Sequence, residues 1–257
     1  MNDSGFLHRY FLAHGGKVIH KWLHYFDIYE DHLDRFRGRA PVMLEIGVSK
    51  GGSLGMWKAY LGPGARIVGL DINPDCKRHE AEGIEVFIGS QDDPGVIERI
   101  LAAYPEIDIV LDDGSHRMDH LRRTFELLYH RVKPDGLYML EDLHSCYWPN
   151  YGGGVRVAES FMEYVKDRID DLNASHTQGA LPITPFTAAT QSICIYDSIV
   201  VFERRPQGMR RSLATHALEP GPSLPRPVRA QPEHPRPDRP QPGRPQPGRR
   251  EKPPRVG

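Results

Sequence analysis

The stretch Val42-Met43-Leu44-Glu45-Ile46-Gly47-Val48-Ser49-Lys50-Gly51-Gly52-Ser53 decides the fold. A short apolar run leads into a glycine-rich turn, and helical spacing begins at Ser53 and continues to Tyr60. Strand, glycine turn and helix in that order open a parallel α/β sheet. Working outward, four more short apolar runs follow: Arg66 to Asp71, Ile84 to Gly89, Ile107 to Asp112 and Gly136 to Glu141. Between them, Pro94 to Tyr104 and Met118 to Val132 carry apolar residues every three to four positions, the period of an amphipathic helix. A further helix is expected from Glu159 to Leu172. Gln191 to Tyr196 and Ser198 to Glu203 have almost no connection between them, which predicts a closing antiparallel pair. The expected architecture is α/β, Rossmann-like, with a mostly parallel seven-stranded sheet.

Open sheets of this kind bind ligands at the carboxyl ends of their strands, so the residues just after each run carry the functional reading. The first turn gives Glu45-x-Gly47-x-x-x-Gly51-Gly52, followed by Ser53. It lacks both the Gly-x-Gly-x-x-Gly of dinucleotide sites and the Gly-Lys-Ser/Thr of phosphate loops. Glu45, two residues before the first glycine, would repel a phosphate. A cationic or neutral ligand is expected instead, and S-adenosylmethionine has an ammonium, a sulfonium, a ribose and no phosphate. Asp71 ends the second run, where a carboxylate accepts hydrogen bonds from both ribose hydroxyls, with Ile72 beside it. Ser90, Gln91 and Asp92 follow the third run at the place of an adenine edge, and Asp112 ends the fourth, facing the cofactor.

The fourth and fifth runs end in Asp112-Asp113-Gly114-Ser115-His116 and Glu141-Asp142-Leu143-His144. Four carboxylates at adjacent strand ends oppose one another's ionisation. A hard divalent cation balances them, and an oxygen-rich ligand set suits Mg²⁺ or Mn²⁺ better than zinc. Asp113, Glu141 and Asp142 are the expected ligands. His116, three residues beyond Asp113, has the near-neutral reference pKa that a general base for an alcohol requires; His144 is the second candidate.

The rest of the chain sets boundaries. Residues 206–257 hold 14 of the 23 prolines, 11 Lys/Arg and 4 Asp/Glu, with a periodic Arg239-Pro-Gln-Pro-Gly-Arg244-Pro-Gln-Pro-Gly-Arg249. Such a composition predicts a disordered Pro/Arg-rich tail. It also leaves 22 basic and 30 acidic residues in the first 205. An acidic body argues against nucleic-acid binding, and no apolar stretch reaches membrane-spanning length. Three widely separated cysteines, Cys76, Cys146 and Cys194, fit a reducing cytoplasm. Residues 1–40, with helical spacing from Phe6 to Phe36, are expected to form a helical cap or lid over the ligand edge of a catalytic domain at 41–205. Lys21, His24, Tyr25 and Tyr29 on that stretch read first as packing, with lining of the acceptor pocket as the alternative. Tyr147 to Gly154, rich in aromatics and glycine, reads as a loop over the site.

Together, Glu45-Ile46-Gly47-Val48 with Gly51-Gly52-Ser53, Asp71-Ile72-Asn73-Pro74, Gly89-Ser90-Gln91, Asp112 to His116, Glu141 to His144 and Tyr196 to Phe202 resemble the class I methyltransferases of antibiotic tailoring. The likeness spans roughly Lys17 to Glu203 and is strongest to the mycinamicin-type and rhamnosyl sugar O-methyltransferases. It implies that Asp113, Glu141 and Asp142 hold Mg²⁺ against two neighbouring sugar hydroxyls, that His116 is the base, and that the acceptor is a glycosylated small molecule. A homo-oligomer, dimer or tetramer, is expected. The competing expectations are a catechol-type metal-dependent O-methyltransferase and a non-catalytic S-adenosylmethionine-binding scaffold whose tail recruits a partner.

Overall fold

A computed structural model describes residues 5–208, together with 210 and 212. The Pro/Arg-rich segment beyond 212, and the disorder expected of it, lie outside the described residues. The strands are β1 (Val42–Ile46), β2 (Arg66–Asp71), β3 (Ile84–Ile88), β4 (Ile107–Asp112), β5 (Val132–Leu140), β6 (Thr190–Ile195) and β7 (Val200–Arg204). They form one seven-stranded sheet in the order β3-β2-β1-β4-β5-β7-β6. β1 to β5 pair in parallel, and β7 is antiparallel to both β5 and β6. The mostly parallel sheet with an antiparallel closing pair is therefore present.

Strand alternation fills both faces. Leu44, Ile46, Val110, Tyr138 and Leu140 point into one core with α4 (Pro94–Ala103), α5 (Met118–Leu128) and α6 (Phe161–Leu172). Met43, Ile109, Leu111, Leu137 and Met139 point into the other, with α1 (Phe6–Ala13), α2 (Tyr25–Leu33) and α3 (Gly52–Leu61). Successive residues face opposite ways because the side-chain period of a strand is two. Each fully buried aliphatic side chain contributes about 1.5–3 kcal/mol, so both faces are needed to hold the sheet. A short helix α7 (Pro185–Ala189) precedes β6. All three cysteines are free. Among the described residues no helix is long and apolar enough to cross a membrane.

Two departures from the sequence reading have physical causes. β5 begins at Val132 rather than Gly136, because the chain bulges through Lys133-Pro134-Asp135: the partner of Ile107 is Val132 but that of Ile109 is Leu137, and Asp135 takes a positive φ of 67°. Proline and a left-handed residue look like a turn in sequence but here make a bulge inside a strand. The segment 14–24 is not helical; it runs as an irregular strap between α1 and α2.

Candidate active site

The strand ends are locked in register beyond the strands themselves. The Asp113 amide donates to the Ile46 carbonyl at 2.9 Å and the Glu141 amide to the Asp112 carbonyl at 3.0 Å, so Gly47, Asp113 and Glu141 stand side by side. Gly47 has φ +93°, and a Cβ there would lie 2.0 Å from the Asp113 carbonyl oxygen. Glycine is thus required by the close passage of the β4 end. At Gly52 a Cβ would lie 2.4 Å from the carbonyl oxygens of both Lys17 and Val18. This glycine makes room for the strap.

Two clefts flank this edge. The first is walled by Ile46, Leu70 and Ile72, with Gly47, Asp71, Ser90 and Gln91 on its rim. The second gathers Gly47, Ser53, Lys21, Asp113, His116 and Asp142. Most expected cofactor residues therefore line one continuous edge, but four carboxylates in or near it have duties to the protein. Glu45 is fully buried and accepts from Ser53 Oγ at 3.0 Å and Trp57 Nε1 at 2.9 Å; burial pushes its pKa up to about 7 despite nearby Lys21. Asp71 Oδ2 accepts the amides of Val48 and Ser49, both at 2.9 Å, and its Oδ1 accepts the Asn73 amide at 2.8 Å. Of a carboxylate's roughly four acceptor positions, about one remains. Asp92 accepts from Ser90 Oγ and lies 3.7 Å from His120 Nε2. Asp112, expected to face the cofactor, instead faces inward: it is fully buried and accepts from Gln91 Nε2 at 3.1 Å and Tyr138 OH at 3.0 Å, and burial raises its pKa to about 6. Gly51, with φ +73°, packs its missing side-chain space against the His79 ring.

At the β4–β5 end, ligand atoms of Asp113, His116 and Asp142 all lie within 4.8 Å of one another. His116 Nε2 stands 3.6 Å from Asp113 Oδ1, and Nδ1 is buried with no hydrogen-bond partner. His116 and Asp142 both take left-handed backbone conformations, φ +55° and +56°. His and Asp are among the residue types that enter this region most readily, at a cost of about 1–3 kcal/mol each. The turn of the chain at each strand end thereby aims the two side chains at each other. Asp142 Oδ1 accepts from Tyr25 OH at 2.8 Å.

Glu141 lies deeper than the other two expected ligands. It is buried and accepts from Lys21 Nζ and Tyr29 OH, while Lys21 also donates to Asp113 Oδ2 at 2.6 Å. Burial and the neighbouring Asp113 raise the Glu141 pKa, and Lys21 opposes them. Burial by itself would depress the Lys21 ammonium, but Asp113 and Glu141 outweigh it and hold it above the ordinary lysine value. Burial raises both Tyr25 and Tyr29, with Asp142 adding to it at Tyr25 and Glu141 at Tyr29, so both stay protonated donors. Sequence reasoning put packing ahead of pocket lining for Lys21, Tyr25 and Tyr29. For Tyr25 and Tyr29 the four-residue spacing was the available signal, since it sets both on one line of α2; Lys21, on the non-helical strap, had no such signal. His144 is not brought into the cluster: its Nδ1 is 3.3 Å from Ser198 Oγ, and its ring sits between Trp22 and Trp148, with centroids at 5.8 and 4.7 Å.

No family model matches the chain. It is 39% identical over 165 residues to demethylmacrocin O-methyltransferase of Streptomyces fradiae, covering 59% of this chain and 41% of that protein. It is 34% identical over 207 residues to 8-demethyl-8-alpha-L-rhamnosyl tetracenomycin-C 2'-O-methyltransferase of Streptomyces olivaceus, covering 76% and 53%. Among solved structures, the MycE methyltransferase from the mycinamycin biosynthetic pathway, in complex with Mg, SAH and mycinamycin VI, superimposes with a TM-score of 0.68 at 30% identity, covering 73% of this chain and 50% of that one. The chain spans about half the length of these relatives. By sequence and by fold, this chain is a homologue of the sugar O-methyltransferases of antibiotic biosynthesis, built on the class I methyltransferase sheet.

Proposed function

We propose that this chain transfers the methyl group of S-adenosylmethionine to a hydroxyl of a sugar or glycosylated natural product, assisted by Mg²⁺ or Mn²⁺. The observation that carries the reading is the meeting of Asp113, His116 and Asp142 within 4.8 Å beside a glycine-rimmed cleft at the carboxyl edge of the sheet. It is supported by a homologous methyltransferase solved with Mg and SAH. The residues fit both groups. Asp113 and Asp142 offer oxygen donors suited to a hard cation, and His116 Nδ1, buried without a hydrogen-bond partner, leaves the imidazole uncommitted to the fold. The first cleft offers apolar walls for an adenine and polar groups at Ser90 and Gln91 for its edge.

When bound, the cofactor supplies an electrophilic methyl and the cation lowers the pKa of the acceptor hydroxyl. Asp113 and Asp142 would hold the cation, with Glu141 behind them as the third carboxylate. His116 Nε2 receives the hydroxyl proton, and Asp113 Oδ1 at 3.6 Å stabilises the imidazolium that results. Tyr25 fixes Asp142 through its phenol. On the acceptor side an aromatic ridge leads outward from His116 through Tyr151, Trp148, His144 and Trp22, with successive centroids 4.7–6.5 Å apart. Trp22 and Trp148 are each about half exposed, the kind of amphipathic surface that takes a sugar face or an apolar aglycone.

The test is incubation of the purified chain with labelled S-adenosylmethionine, Mg²⁺ and glycosylated acceptors, with catechols as the comparison. Methyl transfer to the glycosides, abolished by EDTA and by His116→Ala, is expected. Transfer that survives both treatments overturns the mechanism; transfer to catechols alone reassigns the acceptor; and cofactor binding by calorimetry without any Mg²⁺ response supports a scaffold instead.

A further inference from the structure

The acid cluster already holds a cation, and it belongs to the chain. Lys21 Nζ donates to Asp113 Oδ2 at 2.6 Å and to Glu141 Oε1, with its side chain only 4% exposed. The remaining Glu141 oxygen accepts from Tyr29 OH. Two of the three carboxylates read as metal ligands therefore share one ammonium. An ion drawing on Asp113, Glu141 and Asp142 together would set a second positive charge on the same oxygens, in a site largely out of water, where like charges repel strongly.

We propose that Lys21 and the divalent cation occupy this cluster alternately, so that metal entry releases Lys21 and the strap 14–24 that carries it. The inference rests on the metal-assisted reading above. The way the strap is held favours such release. Among the described residues, no backbone–backbone hydrogen bond ties 15–21 to another element. Gly15 and Gly16 at its start are exposed, and glycine meets little steric resistance to a change of backbone angles. Its inward anchors are few: Ile19 packs partly against the core, the Lys17 and Val18 carbonyls rest over Gly52, and Lys21 sits in the acids. A segment with few buried contacts opens at low cost. Tyr29 is placed differently, because it lies within α2, is fully buried, and stays with the core when the strap moves. Asp113 and Asp142, which meet beside His116, give an entering ion its first foothold before Lys21 departs. Metal loading would then also shift Trp22, the residue after Lys21 and the outer end of the aromatic ridge.

The experiment measures Mn²⁺ binding to the whole chain by calorimetry, for the wild type and Lys21→Met, and backbone hydrogen exchange of 14–24 in the wild type with and without Mn²⁺. Removing the competing charge should tighten Mn²⁺ binding by about tenfold or more, and exchange in 14–24 should rise on Mn²⁺ saturation while that of α2 stays unchanged. Equal or weaker Mn²⁺ binding by Lys21→Met overturns the inference, as does unchanged exchange of the strap in the Mn²⁺-bound wild type. If Lys21→Met does not fold, the wild-type exchange result decides. Absence of Mn²⁺ binding by both forms overturns the metal-assisted reading itself, and is distinguishable from binding at equal affinity, which overturns only the alternation.

Discussion

At the ends of β1 and β2, Glu45 and Asp71 give their oxygens to the protein's own donors; at the ends of β4 and β5, Asp113 and Asp142 keep acceptor capacity facing each other. Glu45 is closed off by Ser53 and Trp57, and Asp71 braces the amides of Val48, Ser49 and Asn73. Asp142 accepts from one phenol, and Asp113 from a lysine on a loosely held strap. All four are acids at the same sheet edge, so residue type does not separate them. What separates them is whether fixed donors fill their lone pairs. A filled carboxylate is scaffold, holding the glycine turn in shape. An open one, next to another open one and an imidazole, can take a cation or a proton.

The largest effect expected from this difference is at the open pair. Asp113→Asn or Asp142→Ala should lower kcat/KM by about 10³-fold or more, since removing a cation ligand forfeits several kcal/mol of charge stabilisation, while calorimetric affinity for S-adenosylhomocysteine stays within about threefold. A parallel collapse of cofactor binding would break the comparison by showing that the two ends are one unit. His116→Ala should lower kcat on the order of 10²-fold and remove the acidic limb of the pH–rate profile, as loss of a general base does. A profile that keeps its acidic limb would transfer the base to another group.

The closed end should show itself in stability. Glu45 ionises near pH 7 in the folded chain and near its ordinary value when unfolded. With the folded pKa raised, its contribution is most favourable below the unfolded value and is lost as pH rises from about 4.5 to 7. The loss is about 3 kcal/mol at most. Glu45→Gln keeps the shape and the Trp57 bond, so urea unfolding should give it a flatter pH dependence than the wild type across that window; identical slopes would show that the carboxyl is not closed off. Tyr138→Phe, which removes one donor from buried Asp112, should cost about 1–2 kcal/mol by the same measurement. Smallest of all, removal of 213–257 should leave turnover and Tm unchanged within about twofold and a few degrees, as expected of a segment whose composition cannot build a core.

Much of this was legible in the sequence. The order of elements and all seven strands follow from the short apolar runs and the 3.6-residue period between them; the start of β5 at Val132 did not, because Pro134 and Asp135 carry turn chemistry wherever they stand. The acids at the strand ends were visible too, since position after a strand places a residue at the ligand edge of an open α/β sheet. Their separate duties were not. Lys21 reaches Asp113 and Glu141 across 92 and 120 residues, and Tyr29 reaches Glu141 across 112. Local pattern sets which way a side chain points from its own element, whereas its partners depend on which distant elements pack against it. The sequence by itself therefore determined the sheet, its edge and the charge gathered there. Only the tertiary structure decided which of those carboxylates the protein fills with its own donors and which it leaves open.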